Sequence, residues 1–240
     1  MKKLLVLLFL LFFTTSCAYA GSDYLFLDKE TKYQKKIMEM GFRILNANRI
    51  DKRMTFSYDT NKDVNAYTYG GAKNIVICKG LLPYFDDDNE LAAILSHEIA
   101  HGMDYHDGFF KSVAMGFAPK KYEEKADKQA VDYMVTAGYN PVALIIVLNK
   151  IAGEKKGISS WFSTHPAGSR RLVLIYEYIY KKYPGYLVDN DYRRNLYYQN
   201  FLLISKDDRE KIRERELKKI EKNRKKNEKN RKKNEKKEAV

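Results

Sequence analysis

The feature that most constrains the fold of this chain is a pair of histidines placed four residues apart in an apolar helical pattern. The run 97–101 reads His-Glu-Ile-Ala-His, and apolar residues precede it at Leu91 and Ile94. The acidic cluster 86–90 stands before the pattern, where capping side chains and carboxylates favour a helix start. Residues four apart share one face of a helix, which we expect to end near Gly102. The fold must therefore enclose both imidazole rings on one side of a partly buried helix.

The chemistry of this motif is that of a metal site. Two neutral imidazoles on one helical face can bind a single ion, and buried histidines suit zinc. Glu98 follows the first histidine, where its carboxylate can reach a water molecule on that metal. The motif alone also fits a plain helix with two hydrogen-bonded histidines and a surface glutamate. A third ligand decides between these two interpretations.

Two sequence patterns can supply the third ligand. In the first, the motif would continue as HExxHxxGxxH, but Asp104 and Asp107 occupy the glycine and final histidine positions, and His106 is one residue out of register. In the second, a following helix provides a carboxylate, and Glu123 with Asp127 fits because residues four apart share a face. We expect Glu123 to bind the metal and Asp127 to accept a hydrogen bond from a ligand imidazole. The alternative for this pair is two solvated charges on an exposed helix.

The remaining pattern predicts an α+β domain that is mostly helical and contains a small sheet. Short runs rich in apolar and aromatic residues predict three strands, at 54–58, 65–69 and 74–78. The last two form a hairpin around the turn Gly70-Gly71. Helical spacing predicts further helices, at 21–48, 122–137, 142–151 and 170–182. Loops or irregular structure are expected at 103–120, 160–169 and 183–200.

The motifs together closely resemble the gluzincin zinc metallopeptidases, a family that includes the HtpX, BepA, Oma-type and CAAX prenyl proteases. The resemblance covers roughly residues 25–180. It is carried by the His-Glu-Ile-Ala-His run, by Glu-Glu-Lys-Ala-Asp at 123–127 and by Ala-Gly-Tyr-Asn-Pro at 137–141. Ser-Thr-His-Pro at 163–166, followed by Arg171, resembles the family's downstream motif.

The resemblance implies a ligand set and a zincin-type fold with the HExxH motif on the central helix. His97, His101 and Glu123 would bind one Zn²⁺ ion per chain. Glu98 would be the general base, and Asp127 would stand behind the ligands. Such a ligand set suits hydrolysis, because three protein ligands leave a fourth position on zinc for water.

The resemblance implies further roles outside the two helices. His165 would either cap the zinc as a gate or stabilise the transition state, unless it is a structural loop residue. Arg171 would anchor that loop or face the reaction centre. An edge strand upstream of the motif would bind an extended substrate, with Tyr67, Tyr69, Ile75 and Ile77 as the expected contact residues.

The expected activity is that of a zinc-dependent metalloendopeptidase. Its expected substrates are unfolded or damaged cell-envelope proteins, because strand addition recognises the peptide backbone more than its side chains. Two alternatives stay open. One is a latent zinc protein with a chaperone or assembly role, in which His165 closes the site. The other is an envelope-binding protein that acts through its basic tail.

The first residues are typical of an export signal. Lys2 and Lys3 precede the apolar run Leu4–Phe13, which is too short to span a bilayer. A small-x-small site ending at Ala20 predicts a 1–20 signal peptide, and Cys17 offers lipidation as the alternative. We therefore expect an exported protein of the periplasm or cell envelope, either soluble or lipid-anchored, with the peptidase domain at 21–205.

The C-terminal segment 206–240 carries most of the basic character. The chain has a net charge of +13, and this segment holds 17 Lys and Arg against 9 Asp and Glu, a difference of +8. Its seven-residue unit Asn-Arg-Lys-Lys-Asn-Glu-Lys occurs twice, at 223–229 and 230–236. Such a segment is expected to be disordered or a single charged helix. It is also a candidate arm for an anionic envelope surface, and no specific nucleic-acid partner is expected.

Overall fold

A computed structural model describes residues 28–69, 73–106, 119–153, 165 and 169–238 of the chain. Its three strands are β1 (Thr55–Asp59), β2 (Ala66–Tyr69) and β3 (Asn74–Cys78). Its helices are α1 (Lys29–Ala47), α2 (Asp88–His106), α3 (Pro119–Thr136), α4 (Val142–Ala152), α5 (Ser169–Lys182), α6 (Gly185–Val188), α7 (Leu196–Ile204) and α8 (Lys206–Glu238). Two 3-10 segments lie at Lys79–Tyr84 and Asp191–Arg194. The predicted class, a mostly helical α+β fold with a small sheet, is confirmed.

Within these described ranges, no helix has both the length and the apolar character that a membrane crossing requires.

The sheet has the order β1-β3-β2. The predicted hairpin strands β2 and β3 pair antiparallel, with Thr68 opposite Ile75, while the Gly70-Gly71 turn lies outside the described residues. β1 pairs parallel to β3 on its other side. The assignment of Ile75 and Ile77 to a substrate-binding edge is therefore wrong, because their strand is hydrogen-bonded on both sides and both side chains are buried.

Helix α2 forms the centre of the core. Every residue from Glu90 to Gly102 is buried, as expected of a helix that is packed on all sides. Its predicted end near Gly102 is wrong, since the helix continues to His106. A glycine inside a helix costs only about 1 kcal/mol relative to alanine, and in the additional turn the buried Asp104 forms an ion pair with Lys125 of α3.

Helix α3 also differs at its start. It begins at Pro119 rather than near Tyr122, because the fixed φ of proline suits a first helical position. It ends as predicted, with Gly138 at a φ of 78° behind the last turn. The predicted loop at 103–120 is thus helical at both ends, and residues 107–118 lie outside the described part.

A buried ion pair fixes the start of α2. Lys150 of α4 places its Nζ 2.7 Å from Glu90 Oε1, 2.6 Å from Asp86 Oδ2 and 3.2 Å from the carbonyl oxygen of Tyr84. Glu90 has no exposed surface. A buried charge pair is tolerated only when its remaining hydrogen-bonding groups are satisfied. These contacts set the position of the helix that carries both histidines.

The segment 183–200 was predicted to be irregular, and this is wrong. It contains α6, a 3-10 turn and the start of α7. Asparagine side chains cap these short elements: Asn190 accepts from the Tyr192 N–H, and Asn195 accepts from the Tyr197 and Tyr198 N–H groups. Such caps satisfy the free N–H groups at a helix start. These polar side chains therefore stabilise short helical elements in a segment whose apolar residues show only a weak helical period.

As far as Glu238, where the described residues end, the basic segment forms the helix α8, which is fixed to the domain at its start. The Arg209 guanidinium lies 4.6 Å from the Tyr176 ring centroid, and Arg213 pairs with Glu177 of α5 at 3.0 Å. Further along, Leu217 and Ile220 are 66% and 65% exposed. The helix therefore leaves the body of the domain after its first turns.

Candidate metal centre

Two adjacent helices supply the polar centre of the fold. α2 carries His97, Glu98 and His101, and α3, which packs against it, carries Glu123 and Asp127. All five side chains are buried. Because residues four apart share one helical face, each helix presents its pair to the other. The burial of Glu123 and Asp127 excludes the alternative of two solvated surface charges.

The atoms that could bind a metal converge on one point. His97 Nε2 and His101 Nε2 lie 3.0 Å apart. Glu123 places Oε1 3.1 Å from His101 Nε2 and Oε2 3.4 Å from His97 Nε2. A tetrahedral ion with bonds of about 2.0–2.1 Å separates its ligand atoms by about 3.4 Å. The three side chains therefore have the spacing that a common ion requires.

His165 adds a fourth donor to this group. Its Nδ1 lies 3.2 Å from Glu123 Oε1 and 3.3 Å from His97 Nε2. The potential ligand atoms of His97, His101, Glu123 and His165 all lie within 4.8 Å of one another, and all four residues are buried. The other ring nitrogen, Nε2, lies 3.4 Å from Glu98 Oε1. The ring of His165 thus stands between the potential ligands and Glu98.

The chemistry of this cluster fits a small divalent cation. Nitrogen and oxygen donors at tetrahedral spacing are a set that such ions prefer. Glu98 Oε1 is a buried acceptor with no hydrogen-bond partner in the described part of the chain. When the imidazoles are neutral, as metal ligands are, the three carboxylates of Glu98, Glu123 and Asp127 are balanced by one guanidinium, that of Arg171, which leaves a deficit of positive charge. A divalent cation would supply it.

Asp127 and Arg171 hold the candidate ligands from behind. Asp127 Oδ1 lies 3.1 Å from His97 Nδ1, the ring nitrogen opposite the cluster. Arg171 of α5 donates to both Asp127 oxygens, at 2.6 and 2.8 Å, and its Nη1 lies 2.9 Å from Glu123 Oε2. A carboxylate on the remote nitrogen fixes the tautomer and orientation of a ligand ring. Arg171 therefore fixes two carboxylates at once.

The pKa values follow from this network. Burial lowers the pKa of His97, but hydrogen bonds to Asp127 and Glu123 outweigh it and raise the pKa to about 9. Burial raises the pKa of Glu123, whereas hydrogen bonds from the three histidines hold it well below its usual range. Burial also raises the pKa of Asp127, but the guanidinium of Arg171 outweighs this effect, and the pKa of Asp127 is lowered. Burial lowers the pKa of His165, so its ring stays neutral and keeps a lone pair for a cation.

One contact of the centre was not predicted. Thr68 of β2 donates a hydrogen bond from Oγ1 to Glu98 Oε2 at 2.8 Å. No local pattern reveals it, because it depends on how the sheet packs against α2. Tyr67 and Tyr69 flank it on the same strand, and the Tyr69 side chain is 53% exposed.

Asp104, at the glycine position of the longer motif, forms an ion pair with Lys125 of α3. Of the run 163–166, only His165 is among the described residues.

A buried HExxH helix beside a helix that contributes a glutamate defines a metallopeptidase-type centre. The chain belongs to peptidase family M48, whose family model matches residues 29–118 and 109–179, more than half of the chain. It is therefore a member of a protease family.

Several curated proteins are similar to this chain. The beta-barrel assembly-enhancing protease of Yersinia pestis is 24% identical over 179 residues, which are 57% of this chain and 37% of that protein. Its namesake from Escherichia coli K12 is 22% identical over 180 residues with the same coverage. The mitochondrial metalloendopeptidase OMA1 of Arabidopsis thaliana is 28% identical over 142 residues, 47% of this chain and 29% of that protein. The chain thus spans about a third of the length of these relatives.

Proposed function

We propose that this chain is a zinc-dependent metalloendopeptidase that hydrolyses peptide bonds in unfolded polypeptides. The observation that carries the proposal is the convergence of the His97, His101 and Glu123 donor atoms beside the buried carboxylate of Glu98. Membership in peptidase family M48 supports it.

The proposed roles follow from position. His97, His101 and Glu123 would hold one Zn²⁺ ion, which when bound polarises a carbonyl group and makes water acidic near neutral pH. Glu98 accepts the proton of the attacking water and passes it to the leaving amine. Asp127 and Arg171 keep the donor atoms in place.

Removal of the metal should abolish activity reversibly. We expect the purified protein to digest unfolded casein, to lose this activity after dialysis against a chelator, and to regain it with one equivalent of Zn²⁺. The measurement is release of acid-soluble peptide, with Mg²⁺ add-back as the control because Mg²⁺ prefers oxygen ligands. Full activity after chelation and verified metal loss would refute a metal-dependent mechanism.

A latent zinc protein is the second candidate, and the position of His165 favours it. Its Nδ1 lies as close to Glu123 and His97 as a fourth ligand would. Water would then reach this position only after the ring moves away. If wild-type protein holds zinc without cleaving casein and His165→Ala cleaves it, the latent form is correct. If both variants hold zinc and neither cleaves, hydrolysis is not the function.

We further propose that the substrate is an extended segment of an unfolded or damaged envelope protein. β2 is an outer strand of the described sheet, next to Glu98. Strand addition at such an edge recognises the peptide backbone. Two relatives are named for enhancing β-barrel assembly, which supports an envelope substrate, as does the predicted export signal at 1–20. Cell fractionation tests the export by comparing the wild-type chain with a variant whose first 20 residues are replaced by a sequence without an export signal.

The basic helix α8 is proposed to bind an anionic envelope surface. Residues 217–238 hold 12 Lys and Arg against 4 Asp and Glu, and Lys and Arg near an anionic membrane each contribute about 1 kcal/mol. We expect the chain to sediment with vesicles containing phosphatidylglycerol and to be released by salt. Truncation after Glu216 keeps the contacts with α5 and should abolish sedimentation without affecting casein digestion. Equal sedimentation of both forms would refute this role.

A further inference from the structure

Thr68 gives the two carboxylate oxygens of Glu98 different surroundings. The threonine Oγ1 donates to Oε2 at 2.8 Å, whereas Oε1 has no hydrogen-bond partner among the described residues. Glu98 is only 1% exposed. A hydrogen bond to an ionised, buried carboxylate is stronger than one between neutral groups. The contact therefore fixes the rotation of the Glu98 side chain and leaves Oε1 without a hydrogen bond, facing the ring of His165, whose Nε2 lies 3.4 Å away.

The main-chain N–H and C=O groups of Thr68 point away from β3. Cys78 N–H donates to the carbonyl oxygen of Asn65 at 3.0 Å, so Asn65 faces β3. In an antiparallel pair this direction alternates along the strand, so Tyr67 and Tyr69 also face β3. The N–H and C=O groups of Thr68 consequently point to the outer edge of the sheet.

The open part of this edge begins at Thr68. Ala66, whose main chain points the same way, has no exposed surface. Thr68 is partly exposed, and the next residue, Tyr69, is exposed. An extended peptide added to the described edge of β2 would therefore bond first to the main chain of Thr68.

We propose that Thr68 is a positioning residue that couples substrate binding to the general base. Its main chain would pair with the extended substrate, while its hydroxyl holds Glu98 so that Oε1 receives the proton of the attacking water. When the substrate pairs with β2, it fixes the position of Thr68 and, through the threonine hydroxyl, the orientation of Glu98. Correct orientation of reacting groups contributes directly to the rate. This role rests on the proposed peptidase function.

The test compares Thr68→Val, which removes the hydroxyl at nearly constant shape, with Thr68→Ser, which retains it. Thr55→Val is the matched control, because Thr55 lies on the same sheet but its hydroxyl contacts Asn74 instead of Glu98. kcat and KM are measured with a long extended peptide and with a short one that contains the same scissile bond. Zinc content and thermal unfolding establish that each variant is folded and loaded.

We expect Thr68→Val to lower kcat by about 10- to 100-fold on the long peptide, the effect of losing one hydrogen bond to a charged group. KM should change little, because the main chain that binds substrate is intact. Thr68→Ser should recover most of the activity, and Thr55→Val should equal wild type. The kcat advantage of the long peptide over the short one should shrink in Thr68→Val.

Three results would overturn the role of Thr68. A wild-type kcat in Thr68→Val excludes a positioning function. A lowered kcat that Thr68→Ser does not restore assigns the loss to packing rather than to the hydroxyl. An undiminished advantage of the long peptide in Thr68→Val excludes the coupling. Failure of wild-type protein to cleave any peptide is a different result, which refutes the proposed peptidase function and this role with it.

Discussion

Replacing Glu98 with glutamine is expected to lower kcat for peptide hydrolysis by about 10²- to 10⁴-fold, the range that a positioned general base contributes. Glutamine has nearly the same shape, and its amide oxygen can still accept the hydrogen bond of Thr68. It cannot take a proton from water. Since Glu98 is not a proposed ligand, the zinc content should stay at the wild-type value.

Glu124→Gln is the matched control for this substitution. Glu124 follows Glu123 on the same helix, but its side chain is partly exposed, and it forms a long ion pair with Arg170 at 3.9 Å. We expect its kcat to equal that of wild type. Retention of more than about a tenth of wild-type activity in Glu98→Gln would show that another group removes the proton.

Replacing Arg171 with leucine is expected to destabilise the fold by about 3–5 kcal/mol, because it leaves a buried carboxylate without its cationic partner. Arg171 donates to both oxygens of Asp127 and also lies beside Glu123. The loss should also weaken metal binding by about 10- to 100-fold, since groups behind the ligands orient them. Urea unfolding and zinc titration measure the two effects separately.

The neighbouring residue provides the control for Arg171. Arg170 lies on the same helix, but its side chain is 73% exposed and its ion pair with Glu124 is long. Exposed pairs of this kind contribute about 0–1 kcal/mol, so Arg170→Leu should unfold close to wild type. Adding Asp127→Asn to Arg171→Leu should recover part of the stability, because the unpaired charge is then removed. Equal unfolding midpoints for the two arginine variants would contradict a buried ion pair at Arg171.

The parts of the centre that follow from spacing along one helix were predictable from the sequence. His97 and His101 share a helical face, as do Glu123 and Asp127, because both pairs are four residues apart. The end of α3 was predictable for the same kind of reason, since Gly138 supplies the positive φ that such a cap requires.

The parts that depend on packing between elements were not predictable. The sheet order places β3 between β1 and β2, so Ile75 and Ile77 do not lie on an edge strand. The hairpin pattern alone does not reveal that β1 covers the other side of β3. The contact of Thr68 with Glu98 joins residues of a strand and a helix whose relative position no local pattern defines. The continuation of α2 beyond Gly102 likewise depends on Asp104 meeting Lys125 of another helix. Local propensity is overridden in such places by tertiary contacts.

The most direct test of the proposed centre is the zinc content of purified protein, measured by mass spectrometry for wild type, Glu98→Gln and a His101→Ala/Glu123→Ala double variant. We predict about one zinc per chain in wild type and in Glu98→Gln, and almost none in the double variant, which retains only two of the four candidate donors. Wild-type protein without zinc after expression in zinc-supplemented medium, or a double variant that still holds one zinc per chain, would contradict a zinc site at this position.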